Sequence, residues 1–200
     1  MAIKKLLSKK RVIIVTLTLM LLLSIGVFLS KFINVDGGVS ELRIEAPSPV
    51  STSDESFVVD VTVSKLGEAI YPAASMSIAF DPSRLEFLGV DEGNVFVGTK
   101  EDYNLPKWSC NVSQSNKTGL INVMYLDTTS GTKAFCKELI EVDYNVVLRL
   151  KFRPRGSLRP GDICTLVVED AVFAASDESQ SLAMTTKTLK AKNGKIAIGE

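Results

Sequence analysis

The chain has 200 residues, with 23 Lys and Arg against 23 Asp and Glu and no histidine. Lys4, Lys5, Lys9, Lys10, Arg11 and Lys31 precede the first acid, Asp36, so the remainder holds 17 basic and 23 acidic residues, a net charge of −6. An acidic body excludes nucleic acid as a partner, and the missing histidine removes the commonest general base and transition-metal ligand.

The 19 residues from Val12 to Ser30 carry no charge. As a helix at about 1.5 Å per residue they span roughly one hydrocarbon core, so residues 12–33 are expected to form a single transmembrane anchor. Five cationic residues precede the run and one follows it. That asymmetry places residues 1–11 in the cytoplasm and the C-terminal domain outside, on a single-pass plasma-membrane protein. The competing reading is a cleaved signal peptide with Ser24-Ile25-Gly26 as a small-x-small site, which makes the protein secreted. No Cys follows the run closely, so the attachment point of a lipoprotein is lacking. Residues 34–40, with Gly37-Gly38, read as a tether. Residues 41–200 read as one domain, large enough for a substantial core.

The domain has an all-β pattern. A first strand is expected around Glu41–Ala46. Phe57, Val59, Val61 and Val63 then alternate with Val58, Asp60, Thr62 and Ser64, as in a half-buried strand. Lys65-Leu66-Gly67-Glu68 reads as a turn. In the next strand Met76, Ile78 and Phe80 form the core row, and Ala73, Ser75, Ser77 and Ala79 form a small, uncharged second row. Asp81-Pro82-Ser83 stops it, since proline supplies no ladder donor. Leu85, Phe87 and Leu88 re-enter the core. Asp91-Glu92-Gly93-Asn94 reads as a turn, Val95-Phe96-Val97 as a short return and residues 99–107 as a loop. Trp108, Cys110 and Val112 alternate with Ser109, Asn111 and Ser113 as in a strand, and residues 114–119 read as a turn.

Leu120–Asp127 is a strand with two largely apolar rows: Ile121, Val123 and Tyr125 on one side, Asn122, Met124 and Leu126 on the other. Either both sides are covered by the domain itself, or the second row meets a partner. A short helix is expected near Lys137–Glu141. Leu148, Leu150 and Phe152 point inward in the strand Val147–Arg153, with Arg149, Lys151 and Arg153 outward. After a turn at Arg159–Asp162, strands are expected at Ile163–Glu169, Leu182–Leu189 and Lys195–Ile198. Eight or nine short strands separated by turns about every ten residues indicate a β-sandwich.

Little in the sequence carries chemistry. The carboxylates Asp81, Glu86, Asp127 and Asp177 are scattered, whereas a glycosidase needs two facing acids. There is no phosphate loop, CxxC or GxSxG, and an enzyme is not expected. Cys110 and Cys136, in or beside loops, are candidates for a disulfide outside the cytoplasm, while Cys164 lies within a strand and reads as a packed apolar residue. Asn111-Val112-Ser113 and Asn116-Lys117-Thr118 match the glycosylation sequon.

From Glu41 to Ile198 the order of motifs resembles a cohesin domain, the receptor half of the cohesin–dockerin pair. The matching parts are Phe57–Val63, SMSIAFDPSRLEFLGV (75–90), GLINVMYLD (119–127) before a Thr/Ser/Gly loop, VLRLKF (147–152), AVFAASD (171–177) and NGKIAI (193–198). The resemblance implies a nine-stranded jelly-roll β-sandwich and a non-catalytic docking function at the outer cell surface. It implies a dockerin-bearing partner seated on one sheet face, with Ala73, Ser75, Ser77, Asn122, Met124, Leu126 and Asp127 in the contact. The chain itself would need no metal or cofactor, calcium being expected on the partner. One departure stands out: familiar scaffoldin cohesins carry Asn and Asp where this chain has Ala73 and Ser75. Two other functions remain open. A carbohydrate-binding module that takes polysaccharide needs a planar row of aromatics, and the one Trp, Trp108, is placed inward by alternation. A structural subunit of an envelope assembly needs a neighbouring chain.

Overall fold

Strand formation follows the period-2 pattern closely. In the computed structural model, which describes residues 40–96, 107–129, 131, 133–176, 183–185 and 187–200, Phe57, Val59, Val61 and Val63 are all buried along strand β3 (Phe57–Val63). The anchor, most of the tether and most of the 99–107 loop lie outside the described residues. No helix among the described residues is long and apolar enough to cross a membrane.

Twelve strands are described, three of them only two residues long. One sheet has the order β11 (Leu189–Lys192), β1 (Ser40–Glu45), β3, β8 (Val146–Pro154), β5 (Leu85–Glu92). The other runs β2 (Val50–Ser51), β12 (Gly194–Gly199), β9 (Ile163–Ala174), β4 (Ala73–Ala79), β7 (Leu120–Leu126), β6 (Ser109–Cys110), with β10 (Met184–Thr185) beside β9. The two sheets enclose one apolar core, as the β-sandwich reading expects.

Aromatic rings fill both ends of that core. Phe57, Phe80, Phe87 and Phe152 cluster at one end, with Phe80–Phe152 and Phe87–Phe152 centroids 5.6 Å apart. Trp108, Tyr125, Phe135 and Phe173 cluster at the other, Tyr125 and Phe135 being 4.8 Å apart. Trp108 is buried and its Nε1 donates to the Val147 carbonyl at 2.9 Å. The indole is therefore satisfied internally, as a buried polar group requires.

Local departures from the expected elements have clear causes. Residues 112–118 form a helix, α1 (Val112–Thr118), rather than a strand and turn. The Asn111 side chain caps its first turn by accepting from Gln114 N, and Gly119 ends it in the left-handed region at φ 71°. Asp91 and Glu92 continue β5 instead of turning. Leu88 is the extra residue of a bulge, since Phe87 pairs with Phe152 and Gly89 with Lys151, so it is only half-buried. The short helix expected near 137–141 is a 3₁₀ turn, Lys137–Leu139.

All three cysteines are free thiols, and the expected Cys110–Cys136 disulfide is not formed. Cys110 lies opposite Val123, near the middle of β7, whereas Cys136 follows the Tyr71–Phe135 bridge beyond the end where Ala73 meets Leu126. Several residues at about 3.4 Å each separate the two levels, more than the ~7 Å Cα separation a disulfide tolerates. Cys164 is buried, as expected.

Candidate functional site

Strands β7, β4 and β9 align so that their outward residues form continuous rows across the sheet. Leu126 faces Ala73, which faces Ala174. One step along, Ser109, Met124, Ser75, Val172 and Thr185 form a row across five strands. Below it Asn122, Ser77 and Asp170 align, then Leu120, Ala79 and Val167. On β7 the inward row Ile121, Val123 and Tyr125 is buried, while Met124 is 58% and Leu126 56% exposed. Of the two readings the β7 pattern allowed, the domain itself does not cover the second row.

Three of the polar side chains on this face are bonded within it. Ser77 Oγ donates to Asn122 Oδ1 at 2.7 Å across the strands, and Ser109 Oγ donates to the Met124 carbonyl at 3.2 Å. A shallow depression of about 410 Å³ runs between them, lined by Ser75, Ser77, Ser109, Cys110, Asn122 and Met124 among others. No charged residue occupies the outward rows of β4 or β7.

Asp127, just past β7, turns its carboxylate into its own loop. Oδ1 accepts from Thr129 N at 2.7 Å and from Thr129 Oγ1 at 2.5 Å, and Oδ2 accepts from Gly131 N at 2.8 Å. Burial acts to raise its pKa, but the hydrogen bonds from Thr129, Gly131 and Lys133 outweigh that and hold the carboxyl below the usual range. The neighbouring Tyr125 hydroxyl donates to the Lys133 carbonyl at 2.7 Å, which ties the same loop down. Asp127 thus shapes the rim of the face through backbone contacts.

The outward face of the other sheet is chemically opposite. Arg149 pairs with Asp60 at 3.2 Å, Lys151 with Asp91 at 3.5 Å and Arg153 with Glu86 at 3.6 Å. Glu41 takes Arg43 at 2.5 Å and Lys192 at 2.8 Å, which hold its pKa down at about 2. Cross-strand ion pairs of this kind keep a sheet face wet. The sandwich therefore has one solvated face laced with ion pairs, where Val58 is the exposed large apolar residue on a strand, and one face where Met124, Leu126 and, further along β9, Ile163 stand in solvent.

Sequence reading placed Ala73, Ser75, Ser77, Asn122, Met124 and Leu126 on one face, and the structure brings them together. It missed the contribution of β9. Val172 and Ala174 complete the upper rows, and Glu169 and Asp170 lie exposed at a bulge where Ser77 pairs with Asp170 and Ile78 with Val168. The alternation in AVFA carried the apolar part of that signal; the register did not show in the sequence. Trp108 is inside, and among the described residues the outward rows of β4, β7 and β9 hold no aromatic ring. Among the described residues no group of three or more Cys, Asp or Glu is placed to hold a metal ion.

Solved structures share this fold. The sixth cohesin of scaffoldin B from Acetivibrio cellulolyticus, bound to a mutant dockerin, is 20% identical with a TM-score of 0.56, covering 80% of this chain and 99% of that one. The OlpA cohesin from Clostridium thermocellum, also in a dockerin complex, is 20% identical with a TM-score of 0.57 over 80% and 99%. A non-cellulosomal cohesin from the archaeon Archaeoglobus fulgidus is 13% identical with a TM-score of 0.55 over 82% and 93%. A search of curated proteins finds no match. The family model for the cohesin domain matches residues 42–198, from the third residue of β1 into β12, and the chain belongs to the cohesin domain family.

Proposed function

We propose that the outer face of β7, β4 and β9 docks a dockerin-bearing protein, and that the N-terminal apolar run holds the domain on the outer side of the plasma membrane. Cohesin domains are docking modules without catalysis, and the chain is not an enzyme. The carrying observation is the pair of exposed apolar side chains, Met124 and Leu126, on a face whose β4 and β7 rows carry no charge and whose counterpart is laced with ion pairs. Contiguous exposed apolar surface on a folded domain marks an interaction site. Several of the similar structures are cohesins captured with dockerins, which supports that class of partner. Burial against a partner contributes about 25 cal/mol per Å² before association costs, so a face of small and apolar groups binds by shape and desolvation. Calcium is assigned to the partner.

The test is calorimetry of the full chain in detergent against dockerins encoded in the same genome, with and without calcium. Micromolar or tighter, calcium-dependent binding that is lost in Met124→Glu and Ser75→Arg supports the face. Absence of any binding dockerin sinks the reading and leaves an envelope-assembly subunit in its place.

A further inference from the structure

The docking face is not uniform along its strands, and its asymmetry specifies the partner. Its upper rows are apolar: Leu126, Ala73 and Ala174, then Met124 and Val172 around Ser75. Its lower half carries Asn122, Ser77 and the two carboxylates of Glu169 and Asp170. Each acid on β3 and β5 of the opposite sheet that faces outward lies beside a Lys or Arg, but neither Glu169 nor Asp170 has a salt bridge among the described residues. The bulge that exposes both is a built feature. Val168 N, adjacent to it, donates to the Asn193 side-chain oxygen at 3.1 Å. Since Ser77 and Asn122 bond each other, the carboxylates are the strongest acceptors the lower half presents.

Resting on the docking reading, we propose that the Glu169–Asp170 bulge is the specificity element of this face. It receives a Lys or Arg from an α-helix of the partner whose apolar stripe covers Met124, Leu126 and Val172. The dimensions suit one helix. Three strands at about 4.8 Å spacing make a strip about 10 Å across, close to a helix diameter. From the Leu126 row to the Asp170 row is four residues, roughly 13 Å, or about nine helical residues at 1.5 Å rise. The basic side chain therefore follows or precedes the residue over Leu126 by about two to two and a half turns. An apolar end and an acidic end accept such a helix in one direction only, because reversal buries a cation against Met124 and Leu126 and leaves the carboxylates facing apolar groups.

The experiment uses the full chain in detergent and the same panel of dockerins, comparing wild type, Met124→Glu and the double variant Glu169→Lys/Asp170→Lys. Both acids are exposed, and an unchanged melting temperature checks that the bulge survives. The expected result is at least a tenfold weaker affinity for the double variant at low salt, carried mainly by a slower on-rate. Wild-type binding should weaken steeply towards roughly 0.5 M NaCl while the variant's does not. A dockerin with its contact-helix Lys or Arg reversed to Glu should restore binding to the double variant. If Met124→Glu abolishes binding but the double variant keeps wild-type affinity and salt slope, the specificity element is overturned and the docking face stands. If no dockerin binds the wild type, both fall together.

Discussion

Asp127 is the residue at which position and role part company. It sits just past the outward row of β7, but its carboxylate is spent on Thr129 and Gly131. Removing it leaves backbone donors of a half-buried loop without an acceptor, at about 2 kcal/mol. Asp127→Ala should thus lower the urea midpoint, read by the emission of the one tryptophan, buried Trp108, with an unchanged slope. Its pKa is depressed in the folded state. The stability it contributes is present above the unfolded carboxylate pKa and is lost as pH falls through the folded one. Glu41 follows the same sign: ordinary value 4.5, folded value about 2, with Lys192 and Arg43 as the cause. Its contribution to pinning β11 on β1 is complete above about pH 4.5 and disappears as pH falls towards 2. A pH titration of thermal stability should show Glu41→Gln flattening the acid limb between those values, and leaving it unchanged refutes the assignment.

At the scale of the element, α1 joins the two sheets through one side chain. Asn116 Oδ1 accepts from Phe87 N at 2.9 Å and its Nδ2 donates to the Phe87 carbonyl at 2.8 Å. These bonds take up both backbone groups of Phe87 on the edge strand β5, next to the bulge at Leu88. Asn116→Ala leaves both Phe87 groups unpaired and should cost about 2 kcal/mol in urea unfolding. The same engagement makes Asn116 a poor glycan acceptor, although it heads a sequon. Gly119 ends α1 at φ 71°, and an added Cβ would stand 2.7 Å from the Phe80 carbonyl oxygen. Gly119→Ala should therefore cost more than the usual left-handed penalty of about 1 kcal/mol, measured the same way. Sequence showed the strands because Phe57–Val63, Ala73–Ala79 and Leu120–Leu126 alternate with period 2 over a one-sided core. It hid α1 because VSQSNKT has no apolar stripe: Ser115 is its only buried residue. The caps at Asn111 and Gly119 were the remaining signal, and a strand-like alternation around Trp108 overrode them. The β9 bulge was hidden for another reason: register belongs to strand pairing, so Glu169 and Asp170 looked like the end of one strand instead of the middle of a 12-residue one.

Across the whole domain, sheets of five and seven strands bury one shared core yet present unlike exteriors. Lys151, Arg149 and Arg153 on β8 meet Asp91, Asp60 and Glu86 across the strands, and exposed pairs of this sort contribute at most about 1 kcal/mol each. Their consistent placement on one sheet matters more for solubility than for stability, because it keeps that face hydrated and unattractive to apolar surfaces. The β7 side has no such protection at Met124 and Leu126. A partner that docks by desolvation must then distinguish the faces without reading any charge on β8. Lys151→Glu/Arg153→Glu removes two such pairs and sets like charges opposite each other, so it should lower stability by about 2 kcal/mol while leaving dockerin affinity within twofold. Met124→Glu, of similar exposure, should abolish binding while leaving the melting temperature nearly unchanged, since an exposed side chain contributes little to folding. Equal losses from the two substitutions would mean that net charge, not the apolar face, governs association. A loss confined to Met124→Glu locates the interface on β7 and β4, where the sandwich leaves its apolar side chains uncovered.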